Sequence, residues 1–140
     1  MRLISKSFAV LVKSCLIVWA SPNTLIGLSV GSLGLLTGGR MQRGEGAIEF
    51  YGGAVTWMLR RLPINASAMT LGHTILGQSI EFLNHSRKHE MVHVRQYERW
   101  GILFLPAYGL TSLVLKLRGK DAYRDNPFEI QAYNEAPHED

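Results

Sequence analysis

The stretch RKHEMVHVRQYERWGILFLPAYGL, residues 87–110, carries two histidines four residues apart in a helical pattern and continues into an apolar run. On a helix, residues four apart lie on one face, about 6 Å apart along the axis. The imidazoles of His89 and His93 can therefore point at one tetrahedral ion. Glu90 lies about 100° round the helix from His89, where a carboxylate can accept a proton from a metal-bound water. The H-E-x-x-H pattern indicates a zinc site; the alternative is a helix that merely carries two histidines.

A third ligand has to come from outside this pair, and helix geometry limits the choice. His85 extends the same row, but eight residues at 1.5 Å each separate it from His93 by roughly 12 Å, too far for one ion. We therefore expect His85 in the turn before the helix. Glu98 falls on about the opposite face from His89, where we expect it to be solvated or paired with Arg95.

Glu129 lies in a second short helical segment, after a connection long enough for the chain to turn back. The segment 126–129, NPFE, also has the pattern of an N-cap, a proline at the first helical position and a capping-box glutamate, which needs no metal. Tyr133 follows four residues later on the same face, where its phenol could donate to an oxyanion or pack in the core. His73 in the strand region and His138 in the tail belong to no element arranged for metal binding.

The charge of the chain is unevenly distributed. Residues 1–70 hold seven Lys or Arg against two acidic residues, whereas residues 71–140 hold eight against nine. The basic excess accompanies the most apolar segments, and no nucleic-acid-binding motif is present, so phospholipid is favoured over nucleic acid as the anionic partner. The single cysteine, Cys15, excludes an internal disulfide and a Cys-rich zinc motif. Histidine and carboxylate would have to hold any metal.

Two apolar runs occupy the first forty residues. Residues 8–20 and 24–39 are separated by Ser-Pro-Asn, and each is shorter than the ~20 residues of a perpendicular membrane span. They predict two helices, either a hairpin partly immersed in a bilayer or two core helices of a soluble domain. Gly27 and Gly31 form a G-x-x-x-G pair that would let membrane helices approach closely. We expect residues 1–40 to be a membrane-associated helical segment and residues 41–140 to be the domain that carries the site.

The rest of the chain mixes strand and helix patterns. Residues 47–59 place AIEFY and AVTWML around a Gly-Gly pair, which predicts a β-hairpin. Residues 66–82 predict one or two further strands. Residues 86–100 have a helical pattern, and residues 102–117 predict an apolar helix. The expected fold class is α+β, with a small sheet beside the motif helix and apolar helices at the N-terminus.

The sequence resembles a family of small bacterial proteins related to the gluzincin metallopeptidases. The motifs that carry the resemblance are HEMVHVRQYERWG, the apolar helix that follows and NPFEIQAY, over roughly residues 66–135. It implies a zincin-like core with His89, His93 and Glu129 as zinc ligands and Glu90 as general base. It also implies hydrolysis of peptide bonds in a peptide or protein substrate lying along the strand at residues 68–76. For a membrane-associated member, the bacterial inner membrane is the expected location.

The sequence departs from that family at one position. Many gluzincins carry an aspartate four residues after the ligand glutamate to orient the first histidine, and here that residue is Tyr133. Asp125 or a backbone carbonyl could orient His89 instead. Two other interpretations stay open: a non-catalytic membrane protein with a structural zinc closed by a fourth ligand such as His73 or His138, and a helical membrane protein without metal.

Overall fold

The computed structural model describes residues 2–136, and side chains from residue 6 onward. This part of the chain confirms the expected α+β class, with a mixed sheet and helices around it. In chain order the elements are α1 (Arg2–Leu36), β1 (Arg40–Arg43), β2 (Ile48–Tyr51), α2 (Gly53–Arg61), β3 (Ala68–Leu71), β4 (Thr74–Gly77), α3 (Ile80–Trp100), a 3-10 turn (Gly101–Leu103), α4 (Phe104–Leu117) and α5 (Pro127–Glu135).

The sheet positions the motif helix. Its strand order in residues 2–136 is β1-β2-β4-β3, with β2 parallel to β4 and the other two pairs antiparallel. The strands expected within residues 66–82 are confirmed as β3 and β4. All four residues of β4 are buried, as expected for a strand with neighbours on both sides. The edge strand β3 packs against α3, so the sheet ends beside the H-E-x-x-H motif.

The hairpin expected at residues 47–59 is wrong in its second half. Gly52 and Gly53 do adopt positive φ, 83° and 55°, as the predicted turn requires. The chain then enters α2, because Val55 and Leu59 lie one helical turn apart and are both fully buried in the core. The antiparallel partner of β2 is instead β1, which the sequence patterns did not indicate.

The two N-terminal helices expected from the apolar runs are one helix. α1 continues for 35 residues with Pro22 inside it, which makes it about 52 Å long. Pro22 has no N–H to donate to the carbonyl of Val18, but the hydroxyl of Ser21 donates to that carbonyl at 2.7 Å. Because the freed carbonyl finds a local donor, the proline does not end the helix.

Glycines on α1 face the sheet. A Cβ on Gly31 would lie 2.4 Å from the ring of Phe50 in β2, and one on Gly27 would lie 2.7 Å from the Cβ of Thr74 in β4. The G-x-x-x-G pair therefore brings α1 against the sheet, where we had expected it to serve contacts between membrane helices. From Ala20, which is fully buried, α1 contributes to the core.

The C-terminal end of α3 meets α1 at a closely packed junction. A Cβ on Gly101, which has a φ of 56°, would lie 2.1 Å from the indole of Trp19. The buried side chain of Asn23 donates to the carbonyl of Gly101 at 3.1 Å. The junction therefore fixes α1 to the point where α3 turns into α4.

Two stretches of helix are long and apolar enough to span a membrane. They are Lys6–Leu36, within α1, and Ile80–Leu117, which runs from α3 through the 3-10 turn into α4. Large apolar side chains on both are exposed. On the part of α1 before Ala20 they are Phe8, Val10, Leu11, Val12, Ile17, Val18 and Trp19; on the 3-10 turn and α4 they are Ile102, Leu103, Leu105, Leu110, Leu113, Val114 and Leu117.

Candidate metal centre

The site is built by two helices whose starts are capped. Ser79 caps α3 by accepting from the amide of Phe82, and Asn126 caps α5 by accepting from the amide of Phe128 at 3.0 Å. The predicted N-cap role of Asn126 is thereby confirmed. The Asn126 amide itself donates to the carbonyl of Tyr123, so the reciprocal half of a capping box is not formed with Glu129. The Glu129 carboxylate turns towards α3 instead.

His89, His93 and Glu129 converge on one buried point. Nε2 of His89 lies 3.2 Å from Nε2 of His93 and 3.1 Å from Oε2 of Glu129, and Nε2 of His93 lies 3.5 Å from Oε1 of Glu129. All three side chains are buried. Each of the three side chains offers one atom that could bind a metal ion, and these atoms all lie within 4.8 Å of one another.

These separations suit a tetrahedral ion. Zinc binds histidine nitrogen and carboxylate oxygen at about 2.0–2.2 Å, so two ligand atoms at tetrahedral angles lie about 3.3–3.6 Å apart. The separations of 3.2 Å between the two Nε2 atoms and 3.1 Å between Nε2 of His89 and Oε2 of Glu129 are close to that value, while Nε2 of His93 lies 3.5 Å from the other oxygen, Oε1. Two histidines and one glutamate are also a ligand set used by catalytic zinc sites, which leave the fourth position open. The residues present therefore fit zinc.

The Glu129 carboxylate is held in its charged form. Burial acts to raise its pKa, but hydrogen bonds with His89 and His93, aided by Tyr108, outweigh burial and lower the pKa of Glu129 to about 2. The group is therefore ionised at neutral pH, which is the state that binds a cation.

Gln96 orients His93. The Gln96 amide nitrogen donates to the carbonyl of Phe128 and to Oε1 of Gln131, both at 3.0 Å. Because a backbone carbonyl can only accept, the amide orientation is fixed and its oxygen faces Nδ1 of His93 at 2.8 Å. Nδ1 must then carry a proton and donate, so Nε2 is the nitrogen that can give up its proton and present a lone pair to a metal ion.

Two further side chains support the site from other elements. The hydroxyl of Tyr108, on α4, donates to Oε1 of Glu129 at 2.7 Å. The hydroxyl of Thr70, on β3, lies 2.6 Å from Oε2 of Glu90 and 3.2 Å from its backbone carbonyl, and is positioned to donate to both. Glu90 is buried and lines the same cleft as His89, His93 and Glu129. Thr70 and Tyr108 hold two of the acidic groups in place.

The sequence interpretation did not include these three supporting residues. Gln96 could have been found, because it lies three residues after His93 and so on the same side of the helix. Thr70 and Tyr108 give no local signal, since each reaches the site only through the packing of its element against α3 or α5.

Tyr133 lies next to the ligands but is not buried. Its ring centroid is 4.6 Å from that of His89, and its hydroxyl is 3.3 Å from the hydroxyl of Tyr123. The side chain is 36% exposed, so the core interpretation does not describe it. Asp125, one candidate for orienting His89, instead accepts from the amide of Asp121 at 2.9 Å.

The structure places Glu98 differently from our expectation. Its carboxylate is largely buried, where it forms an ion pair with Lys13 of α1 and lies 2.8 Å from Nε2 of His73. Arg95 pairs with Glu135 instead, at 3.1 Å. The expectation that Glu98 is solvated or paired with Arg95 is therefore wrong.

The remaining histidines are not assembled with the three ligands. His85 lies inside α3, not in a turn before it, and it lines the cleft that contains the site. His73 contacts Glu98 and does not belong to the group formed by His89, His93 and Glu129. His138 lies outside the described residues.

A cleft gives access to the site. It has a volume of about 760 Å³ and includes His89, Glu90, His93 and Glu129 in its lining. One wall is formed by residues 62–71, which include β3, and further walls are formed by α4 and α5. The space is sufficient for several residues of an extended polypeptide beside the edge strand.

Comparison with protein-family models, curated proteins and solved structures finds no match for this chain.

Proposed function

We propose that this protein is a membrane-associated zinc peptidase of the gluzincin type. The observation that carries the proposal is the convergence of His89, His93 and Glu129, whose nitrogen and oxygen atoms meet at one buried point in a set that fits zinc. Glu90 lies on the same helix beside them, in a cleft open to substrate. Three ligands with a neighbouring general base are the arrangement that hydrolytic zinc sites require.

Zinc bound by these residues would supply Lewis acidity, which lowers the pKa of water and polarises a carbonyl group. Glu90 takes the proton from the attacking water at Oε1, while Thr70 holds Oε2. The water oxygen bonds to the carbonyl carbon, and the carbon–nitrogen bond breaks as Glu90 returns the proton to the amine. The products are a carboxylate and an amine.

Two tyrosines that line the cleft, Tyr133 beside His89 and Tyr123 beside Tyr133, can stabilise the negative charge that forms on the carbonyl oxygen. The hydroxyls of Tyr133 and Tyr123 lie next to each other where the cleft meets the ligands. One phenol can donate to the oxyanion while it accepts from the other. We assign this role to Tyr133, because its ring contacts that of His89.

The exposed apolar side chains on α1 and α4 favour a location at a membrane. A bilayer would cover them, and the basic residues near them would meet anionic headgroups. The bacterial inner membrane is the location that we propose.

The metal is the first thing to measure. The full chain is purified in mild detergent, and zinc per chain is determined by elemental analysis alongside Glu129→Gln and His93→Ala. We expect close to one zinc in the wild type and much less in both variants, with circular dichroism showing that the variants fold. A wild type that holds no zinc after reconstitution would refute the proposal.

Turnover is tested separately from metal binding. Glu90→Gln should retain zinc and abolish hydrolysis of fluorescently quenched casein, because the amide cannot accept the proton. Zinc-loaded wild type that cleaves no casein, with or without lipid, would favour the structural-zinc alternative, in which the metal only ties α3 to α5. Cleavage that persists in Glu90→Gln would show that Glu90 is not the base.

A further inference from the structure

Helix α4 has two faces with different surroundings. Phe104, Tyr108 and Ser112 follow one another at intervals of four residues and line the cleft. Tyr108 reaches from this face to Glu129. Leu110 and Leu113 are 64% and 52% exposed, and they give α4 an apolar outer face. One helix thus forms a wall of the site and also presents an apolar surface to the exterior.

The cleft is bordered by exposed apolar side chains on both sides. On α4, Leu105 lines the cleft and is 37% exposed. On another wall, Ile64 lines the cleft from the loop before β3 and is 51% exposed. Exposed apolar side chains grouped around an opening mark a surface that contacts another apolar partner, such as a membrane.

Basic residues follow the apolar face of α4 directly. Lys116, Arg118 and Lys120 are exposed at its C-terminal end, and Arg124 is an exposed residue that lines the cleft. Basic side chains beside an apolar surface are typical of contact with anionic phospholipid. The 14 residues of α4 measure about 21 Å, less than the ~30 Å hydrocarbon core, so α4 alone would enter the bilayer without crossing it.

We propose that the cleft opens at the surface of an anionic bilayer and takes polypeptide segments that are themselves tethered to that bilayer. The inference rests on the peptidase function proposed above and specifies its substrate class. With the outer face of α4 against lipid, the apolar border of the cleft lies at the interface. A tethered substrate is concentrated in that layer, and its effective concentration at the cleft exceeds that of a soluble chain.

The position of the cleft can be measured without any activity. In a Cys15→Ser background, Ile64→Cys and Leu105→Cys are spin-labelled in vesicles of equimolar phosphatidylcholine and phosphatidylglycerol. Their accessibilities to oxygen and to a water-soluble nickel chelate are then compared. Glu45→Cys is the control, because it lies in the turn between β1 and β2 and β1 is at the opposite edge of the sheet from β3. We expect membrane-like accessibility at 64 and 105 and aqueous accessibility at 45; aqueous accessibility at all three would overturn the inference.

The substrate class is tested with zinc-loaded full chain in the same vesicles. One quenched casein sample is free in solution and an equal amount is coupled to a maleimide lipid, with Glu90→Gln as the blank. We expect the Glu90-dependent rate on coupled casein to be at least about tenfold higher. Leu113→Glu should bring this ratio towards one, whereas Trp57→Glu, the same change at an exposed apolar residue of α2, should preserve it.

The outcomes separate the two proposals. Equal Glu90-dependent rates on free and coupled casein would overturn the tethered-substrate inference and leave the peptidase function standing. Hydrolysis of neither sample would refute the peptidase function, and the inference about its substrate with it.

Discussion

The side-chain amide of Gln96 makes a specific prediction about metal affinity. It donates to the Phe128 carbonyl and to Gln131, and it accepts from Nδ1 of His93. Gln96→Met keeps the side-chain volume but removes all three hydrogen bonds, so His93 can rotate or change tautomer. Loss of such a supporting partner weakens metal binding by about 10–100-fold, which corresponds to about 1.4–2.7 kcal/mol.

The dissociation constant for zinc is measured by competition with a fluorescent chelator, using full chain in detergent at a fixed pH near neutral. The matched control is Gln131→Ala, which removes one of the three hydrogen bonds of Gln96 and leaves its contact with His93. We expect less than about a threefold change in that control, because the carbonyl of Phe128 still fixes the orientation of the Gln96 amide. Equal zinc affinity in Gln96→Met and wild type, with both folded, would show that His93 is not oriented by Gln96.

Three further predictions concern groups around the site. Thr70→Val should leave zinc content unchanged and lower kcat on casein about 10–100-fold, because Glu90 loses its partner; an unchanged kcat would remove Thr70 from the mechanism. Gly101→Ala should lower the free energy of unfolding in urea by at least about 1–3 kcal/mol, since a Cβ there meets Trp19 and φ is positive, and wild-type stability would contradict the described junction. Burial acts to raise the pKa of Glu49, but the hydrogen bonds from Arg87 and Gln42 and the charge of Arg87 together outweigh burial and lower this pKa. The stabilising effect of the ionised Glu49 is therefore present above the usual carboxyl pKa and is lost as pH falls through the lowered value. Glu49→Gln should therefore cost about 1.5–3 kcal/mol at neutral pH and little in acid, and a pH-independent cost would refute this account.

Local patterns were sufficient to predict the parts of the site that lie within one helix. His89, Glu90 and His93 follow from spacing alone, and the cap of α5 follows from Asn126 and the proline after it. The approach of Glu129 to the histidines is a tertiary contact between α3 and α5, which spacing allowed but could not require. In the structure the Glu129 side chain faces α3, and it does not complete a capping box with Asn126.

The errors came from residues whose local preference is overridden by packing. Pro22 suggested a helix end, but the Ser21 hydroxyl satisfies the carbonyl that proline leaves free. The positive φ angles predicted for Gly52 and Gly53 are confirmed. The strand predicted after them is a helix instead, because the helix buries both Val55 and Leu59 in the core. Glu98 lies away from the metal ligands on its helix, and only the arrival of α1 gives it Lys13 as a partner.

The continuity of α1 through Pro22 has a further consequence, for the orientation of the whole molecule. A rigid helix advances by about 100° per residue, so Lys13 and Gly27, fourteen residues apart, are only about 40° out of phase. The rotation of α1 about its own axis therefore fixes two contacts together: that of Lys13 with Glu98 and that of Gly27 with the sheet. The exposed apolar part of α1 and the domain therefore keep a fixed orientation relative to each other. Any tilt of this helix in a bilayer would turn the cleft by the same angle.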